Sequence, residues 1–238
     1  MKMTHAPDNN ARITDTVLHL HPSAFLLTAQ FLQLGLYAFL GNRHNQQIII
    51  NGFGVLVLVL VVWVINRSPG VNWIAWILAI PAFGGLIYAL IVPDVAIEGW
   101  TALFESILYF YAAGSLIAYM MKDDQVTTDE LFAVGATFTL LAWGFAFLYL
   151  ACQSWQPASF YSTVIPPLQP LNFVAYLSLS FTNLTATGLS DIVATSNASK
   201  VIVMLEQFCG IGYVAMVVSR LVGLTLQRKK KKDAKIIE

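Results

Sequence analysis

The sequence predicts an all-α membrane protein with six transmembrane helices and a re-entrant segment between the fifth and the sixth. The first observation is compositional, since 57% of the 238 residues are hydrophobic and only 11% are charged, with a mean hydropathy of +0.67. A soluble domain carries about 25% charged residues, so this composition indicates a membrane protein. The second observation is a set of six apolar stretches close to the roughly 20 residues that a membrane-spanning helix requires. They cover residues 24–41, 48–66, 71–92, 98–121, 130–152 and 199–225.

Polar or turn-forming joints separate the first five stretches and divide the chain. The joints are Gly41–Asn45, Asn66–Gly70, Pro93–Asp94 and Lys122–Gln125. We therefore expect an N-terminal segment at 1–22, a four-helix module at 23–122, a second membrane domain at 123–226 and a basic tail at 227–238. The first 20 residues are polar and mixed, so no cleavable signal peptide is expected.

The distribution of basic residues predicts that both termini are cytoplasmic, because segments rich in Lys and Arg stay on that side of a membrane. In this orientation only Arg43 and Lys200 face outward. The inward-facing basic residues are Lys2, Arg12, Arg67, Lys122 and the run Arg228, Lys229, Lys230, Lys231 and Lys232. The run serves either as a topological anchor or as a binding site for anionic lipid headgroups. Arg220, near the same end of the sixth span, is expected to extend toward those headgroups.

The segment 153–198 does not fit a simple six-span pattern. Its first part holds Pro157, Pro166, Pro167 and Pro170, which prevent a regular helix. The next stretch, 172–184, is apolar but too short to cross a bilayer, and it leads into a polar, glycine-containing stretch at 185–191. Irregular backbone at membrane depth is tolerated only where it is buried in protein or lines a wet cavity. The pattern therefore predicts a re-entrant loop that forms a pore or a binding site.

The residues of this loop resemble the selectivity filter of potassium channels. Ser180–Ile192 reads S-F-T-N-L-T-A-T-G-L-S-D-I, beside the family pattern S-F-x-T-L-T-T-V-G-Y-G-D-I. The helix that follows is similar to the inner helix of bacterial potassium channels at Met204–Glu206, Gly210, Tyr213 and Arg220–Leu224. The resemblance covers roughly residues 130–226 and points to the six-transmembrane potassium-channel superfamily.

This resemblance implies a homotetramer, in a bacterial inner membrane, in which residues 123–226 of four subunits form a pore domain around one axis. Passive cation flux, with potassium preferred, would follow the filter. The filter residues are Thr185, Ala186, Thr187, Gly188, Leu189, Ser190 and Asp191. Potassium or another monovalent cation would exchange its water shell for backbone carbonyl oxygens. Those carbonyls would belong to Ala186, Thr187, Gly188 and Leu189.

Three filter positions depart from the family pattern. Ala186 stands where the family has a threonine whose hydroxyl forms the innermost ion site, and Leu189 replaces the usual tyrosine. Ser190 replaces the second glycine, and a left-handed conformation there would cost about 1–2 kcal/mol. The single glycine also resembles the filters of Trk-type and Ktr-type potassium transporter subunits. A non-selective monovalent cation channel and a non-conducting scaffold or regulatory subunit therefore stay open as alternatives.

The other spans and the inner helix hold further candidate residues. No Lys or Arg lies between Ser68 and Met121, so weak or no voltage dependence is expected. Glu105 either forms structural hydrogen bonds or senses protons or contacts cations. Glu206 is expected to brace the pore loop, with direct contact to the ion as the alternative.

Two further pairs of alternatives concern the filter and the helix behind it. Gly210 and Gly212 form either a gating hinge, as the resemblance implies, or sites of close helix packing. Asp191 either concentrates cations at the outer mouth or forms a hydrogen bond with Thr182 behind the loop.

The sequence shows no pattern typical of an enzyme. The histidines lie outside the spans without nucleophile or metal spacing, at His5, His19, His21 and His44. Cys152 and Cys209 stand in apolar surroundings, which is typical of buried thiols. We expect no enzymatic activity, no cofactor beyond permeant monovalent cations and no nucleic-acid partner.

Overall fold

The computed structural model describes residues 22–40, 54, 56–63, 72–91, 95–122, 128–164 and 170–237, and most of them are helical. Its elements are α1 (Pro22–Leu40), α2 (Asn72–Ile91), α3 (Val95–Lys122), α4 (Thr128–Trp155), β1 (Phe160–Ser162), α5 (Phe173–Leu184), β2 (Ile192–Ala194) and α6 (Asn197–Ile237). Residues 56–63 form a further helical segment between α1 and α2. The predicted N-terminal segment (except its last residue), most of the second span and the side chains of Arg228–Lys232 lie outside the described residues.

Three of the predicted spans are confirmed as helices that are long and apolar enough to cross a membrane. They are Ile97–Lys122, Asp129–Trp155 and Asn197–Gly223, which match the fourth, fifth and sixth spans. The first and third spans fall on α1 and α2, whose apolar stretches within the described residues are shorter, at Ser23–Phe39 and Trp76–Gly85. The helical and apolar character of the chain is therefore that of an all-α membrane protein.

Helix α4 lies at the centre of the packing. It makes the most extensive interface of the molecule with α3 and also contacts α1, α5 and α6. Ala133, Ala136, Ala142 and Ala146 of α4 are fully buried. Small residues let helix backbones approach closely in membranes, so α4 accepts neighbours on several sides. Its long aromatic side chain Trp143 is buried among them.

Helix α6 is different, because most of its span is not covered by the rest of the chain. Only 17% of its apolar window is buried, against 56% for the spans in α3 and α4. Phe208 is 78% exposed and Ile211 is 60% exposed. This uncovered apolar face lies on the helix that follows the predicted filter.

Two short strands, which the sequence did not predict, frame the segment between α4 and α6. β1 and β2 pair in antiparallel fashion, with Phe160 opposite Ala194 and Ser162 opposite Ile192. The side-chain amide oxygen of Gln153, in the last turn of α4, accepts a hydrogen bond from the backbone N–H of Phe160 at 2.8 Å. The pairing therefore fixes where the predicted filter loop returns to the end of α4.

Candidate functional site

The candidate site begins with the short helix α5. The side chain of Asn172 caps it by accepting a hydrogen bond from the backbone N–H of Ala175 at 2.9 Å. Twelve residues rise about 18 Å, which is too short to cross a bilayer. Its carboxyl end packs against α6, and the chain then turns into the loop 185–191.

The backbone of the loop folds back on the last turn of α5. The carbonyl oxygen of Thr182 accepts hydrogen bonds from the N–H groups of Thr187 at 3.0 Å and Gly188 at 3.3 Å. In a trans peptide the C=O of one residue points opposite to the N–H of the next. The carbonyls of Ala186 and Thr187 are therefore directed away from α5, and no described residue donates a hydrogen bond to either.

The loop holds two left-handed residues, separated by one residue of ordinary conformation. Ala186 has φ 55° and Gly188 has φ 65°, both in the left-handed region. Such alternation between left-handed and ordinary residues is the arrangement expected of successive carbonyls that line one path. Ser190 has no positive φ, so the predicted strain at that position does not arise. The Ser190 hydroxyl instead accepts a hydrogen bond from the N–H of Ile192 at 3.1 Å.

The threonine hydroxyls of the loop face α5 and not the exposed side. The Thr185 hydroxyl donates to the carbonyl of Phe181 at 2.7 Å, and the Thr187 hydroxyl donates to the carbonyl of Thr182 at 3.2 Å. The two hydroxyl oxygens are 3.1 Å apart. The exposed face of the loop therefore presents backbone oxygens and the side chain of Leu189, which is 83% exposed.

Asp191 is held by the strand β1 and not by Thr182. Its carboxylate accepts a hydrogen bond from the Ser162 hydroxyl at 2.8 Å, and its carbonyl accepts one from the N–H of Thr163 at 2.8 Å. The Thr182 hydroxyl donates to the carbonyl of Leu179 within α5. The alternative of an Asp191–Thr182 hydrogen bond is thus wrong, because Asp191 is hydrogen-bonded to Ser162 and Thr163 instead. Asp191 itself is exposed.

Glu206 of α6 is fully buried behind the loop and contacts both α5 and α4. Its carboxylate accepts hydrogen bonds from the hydroxyls of Ser180 and Tyr149. The side-chain amide of Asn183 donates to the same carboxylate at 3.2 Å and to the Tyr149 hydroxyl oxygen at 3.1 Å. The sequence pointed to Glu206, but its partners emerge only when the three helices are packed together.

The two inner-helix glycines have different surroundings. A Cβ on Gly210 would lie 2.3 Å from the carbonyl oxygen of Leu184 and 2.8 Å from its Cα. Gly210 therefore allows the end of α5 to approach α6, which favours the close-packing interpretation at this position. A Cβ on Gly212 would meet no atom within 4 Å.

Charged residues of the candidate list also lie outside the loop, on α3 and α6. Glu105 of α3 is only 5% exposed and lies within electrostatic range of Tyr37 and Tyr109. Arg220 forms an ion pair with Glu130 at 3.0 Å. Arg220 therefore has a carboxylate partner in α4, and its extension toward lipid headgroups stays a prediction. Within the described residues, no group of three or more His, Cys, Asp or Glu side chains is arranged to hold a metal ion.

The fold is that of a helical membrane protein with a short helix and an irregular loop between two long spans. The loop and the helices on either side of it match a known family. Residues 135–227, less than half of the chain, match a family model described as an ion channel. No curated protein and no solved structure gives a significant match. The matched range contains all of α5, the loop and the apolar part of α6, and it supports an ion channel as the class of protein.

Proposed function

We propose that the chain is one subunit of a tetrameric, passive cation channel that carries potassium through the loop 185–191. The observation that carries this proposal is the orientation of the carbonyls of Ala186 and Thr187 away from α5, with no donor among the described residues. A dehydrated cation needs such oxygens in place of water. The dipole of α5 adds a favourable negative potential at its carboxyl end, next to the loop.

The uncovered face of α6 supports the tetramer. One loop offers oxygens from one side only, so a closed ring around an ion requires further copies of the chain. The apolar window of α6 is 17% buried in the protomer. Packing of four α6 helices around one axis would cover this face and bring four loops together. The side chain of Glu206 points to the other side of α6, toward α5, and the backbone of Gly210 lies against α5 on that same side.

We also propose that conduction depends weakly on voltage. Among the 28 residues of α3, the basic residue is Lys122 in the last turn. Voltage sensing requires several basic charges that move through the membrane field, each contributing about 2.3 kcal/mol per 100 mV. The four-helix module at 23–122, with Glu105 in α3, is proposed to serve assembly or another form of gating.

Reversal potentials of the purified protein in planar bilayers test the proposal. A tenfold potassium gradient should give a reversal potential near the ideal value of about 59 mV for a univalent ion. Gly188→Val should abolish the current, because a β-branched residue does not adopt φ 65° without strain. Gly114→Ala is the matched control, since a Cβ at that position meets no atom within 4 Å. Absence of current from folded wild-type protein would contradict the channel and favour a scaffold.

A second candidate is a channel that discriminates poorly between potassium and sodium. Two observations favour it: Ser190 does not continue the left-handed alternation, and Leu189 is exposed in place of a braced aromatic ring. The outer part of the filter then has fewer fixed carbonyls than the family pattern. Opposed, equal potassium and sodium solutions distinguish the two functions. Reversal near zero identifies the non-selective channel, and a potential of tens of millivolts identifies the selective one.

A further inference from the structure

An ion pair joins α6 to α4 at the end of the molecule away from the filter. The guanidinium Nη2 of Arg220 lies 3.0 Å from Oε1 of Glu130, and the two side chains are 16% and 5% exposed. With a rise of 1.5 Å per residue, Arg220 is about 21 Å along the helix from Glu206. A partly buried pair of this kind is costly to break, because opposite charges attract strongly at short distance in surroundings of low dielectric constant.

The half of α6 nearer the filter is fixed in a different way. Glu206 and Gly210 hold it against α5, and the hydroxyl of Tyr213 donates to the carbonyl of Val134 in α4 at 2.7 Å. Beyond Tyr213 the side chains of Val214 and Val218 are exposed, whereas Val217 is buried in the core. Movement of the far end of α6 relative to α4 therefore requires separation of Arg220 from Glu130 and loosens the packing of Val217, while the filter half keeps its contacts.

The residue before Glu130 connects the same turn to the first module. The carboxylate of Asp129 accepts a hydrogen bond from the hydroxyl of Tyr119, in α3, at 3.2 Å. It accepts another from the hydroxyl of Ser23, in α1, at 3.4 Å. The first turn of α4 thus contacts α1 and α3 through one carboxylate and α6 through the next.

We propose that the Glu130–Arg220 pair is a latch that holds the far end of α6 against α4 and favours the open pore, and that α1 and α3 bias this latch through Asp129. This inference rests on the proposed function, in which α6 surrounds the axis. Closure at the far end would bring the α6 helices together at the axis and therefore away from α4. The latch opposes that movement, because closure would break the 3.0 Å contact between the two opposite charges.

Single-channel recording of charge variants tests the latch. Glu130→Gln and Arg220→Gln should each lower the open-to-closed ratio about five-fold or more, with the reversal potential unchanged. Arg220→Lys should keep most of the wild-type ratio, and the charge-reversed double variant Glu130→Arg with Arg220→Glu should restore most of the loss. An unchanged or increased open-to-closed ratio in the two single variants would overturn the proposal.

A distance measurement keeps the latch testable if the protein carries no current. Spin labels at Phe132→Cys and Val222→Cys, with Cys152 and Cys209 replaced by alanine, report the separation of α4 and α6. Both positions are exposed in the protomer. The distance distribution should broaden in Arg220→Gln and narrow again in the charge-reversed variant. That result without current would keep the latch and reject the channel, whereas an identical distribution in all variants would reject the latch.

The contribution of α3 has its own test. Tyr119→Phe removes the hydroxyl that contacts Asp129 and should lower the open-to-closed ratio, or broaden the distance distribution, in the same direction as Arg220→Gln. Combined with Arg220→Gln it should add little, because the latch is already broken. Tyr88→Phe, at an exposed tyrosine of α2, is the matched control. Full additivity of the two changes would overturn the coupling through Asp129.

Discussion

Glu206 is surrounded by hydrogen-bond donors from two other helices. Ser180 and Asn183 approach it from α5, and Tyr149 approaches it from α4. A carboxylate is suited to this position because it accepts several hydrogen bonds and donates none when ionised. Glu206, on α6, therefore joins α4, α5 and α6 at one point.

Replacement of Glu206 by alanine should destabilise the protein by about 2 kcal/mol or more, because buried donors lose their acceptor. For a chain of this size the melting temperature should fall by about 4–8 °C. Thermal unfolding of the purified protein measures the change. Glu98→Ala, at an exposed acid of α3, should shift the melting temperature little. Equal melting temperatures for the two variants would contradict the role of Glu206 as a shared acceptor.

Ala186 is a non-glycine residue in the left-handed region, at φ 55°. Ala186→Gly should stabilise the protein by about 1 kcal/mol, because glycine adopts this conformation without the steric penalty. Ala186→Thr, the residue of the family pattern, should destabilise it, since a β-branched side chain is strained at positive φ. The melting temperatures of the two variants, each compared with that of the wild type, test both predictions.

A control for this prediction is present elsewhere in the chain. Ala158 has φ 67° in the turn before β1. Ala158→Gly should give a similar stabilisation and leave the reversal potential unchanged. A higher melting temperature for Ala186→Thr than for wild type would contradict the assigned backbone conformation.

At the scale of the elements, the contact between α5 and α6 depends on one missing side chain. Gly210→Ala places a Cβ 2.3 Å from the Leu184 carbonyl oxygen, so α5 and the loop after it must move. We expect loss of current and a lower melting temperature, with a cost in the range of about 1–3 kcal/mol for overpacking.

Gly212→Ala is the matched change on the same helix, because its Cβ meets no atom within 4 Å of the protomer. It should fold with a melting temperature close to that of wild type. If Gly210→Ala also folded and conducted normally, the close packing of α5 on α6 would not be needed, and a hinge at Gly210 would regain support.

The helices were largely predictable, and the strands were not. A continuous apolar run predicts a span without knowledge of its neighbours, so the apolar spans of α3, α4 and α6 agree with the expected ranges, although the helix α6 itself continues to Ile237. The short helix predicted at 172–184 begins one residue later, with Asn172 as its cap. β1 and β2 have three residues each and acquire their pairing only from each other. No local periodicity reveals a strand of that length.

The residues of the candidate site were also predictable only in part. The loop residues and Glu206 carried a recognisable pattern, whereas Tyr149, Asn183 and Ser162 did not, because their roles depend on contacts between residues far apart in the chain. Glu130 and Arg220, which are 90 positions apart, belong to this second group. Prediction from sequence named the residues of the loop but not the side chains that hold the loop in place.

At the scale of the whole molecule, the uneven burial of the three long helices predicts assembly. Native mass spectrometry in mild detergent should give a species of about four times 26.2 kDa. Phe208→Asn should weaken this species, because the side chain is 78% exposed on the uncovered face of α6. Phe39→Asn, near the end of α1 and 89% exposed, is the matched control. A monomer that still conducts would contradict the shared pore.

Because β1 pairs with β2, the position of the loop 185–191 does not depend on the segment that connects β1 to α5. Ser162 and Thr163 anchor Asp191, and Asn172 independently fixes the start of α5. We therefore expect that a peptide inserted between Val164 and Pro170 leaves the loop 185–191 in place. An epitope placed there would act as a topology reporter. Antibody labelling of intact cells would then show directly on which side of the membrane this end of the protein lies.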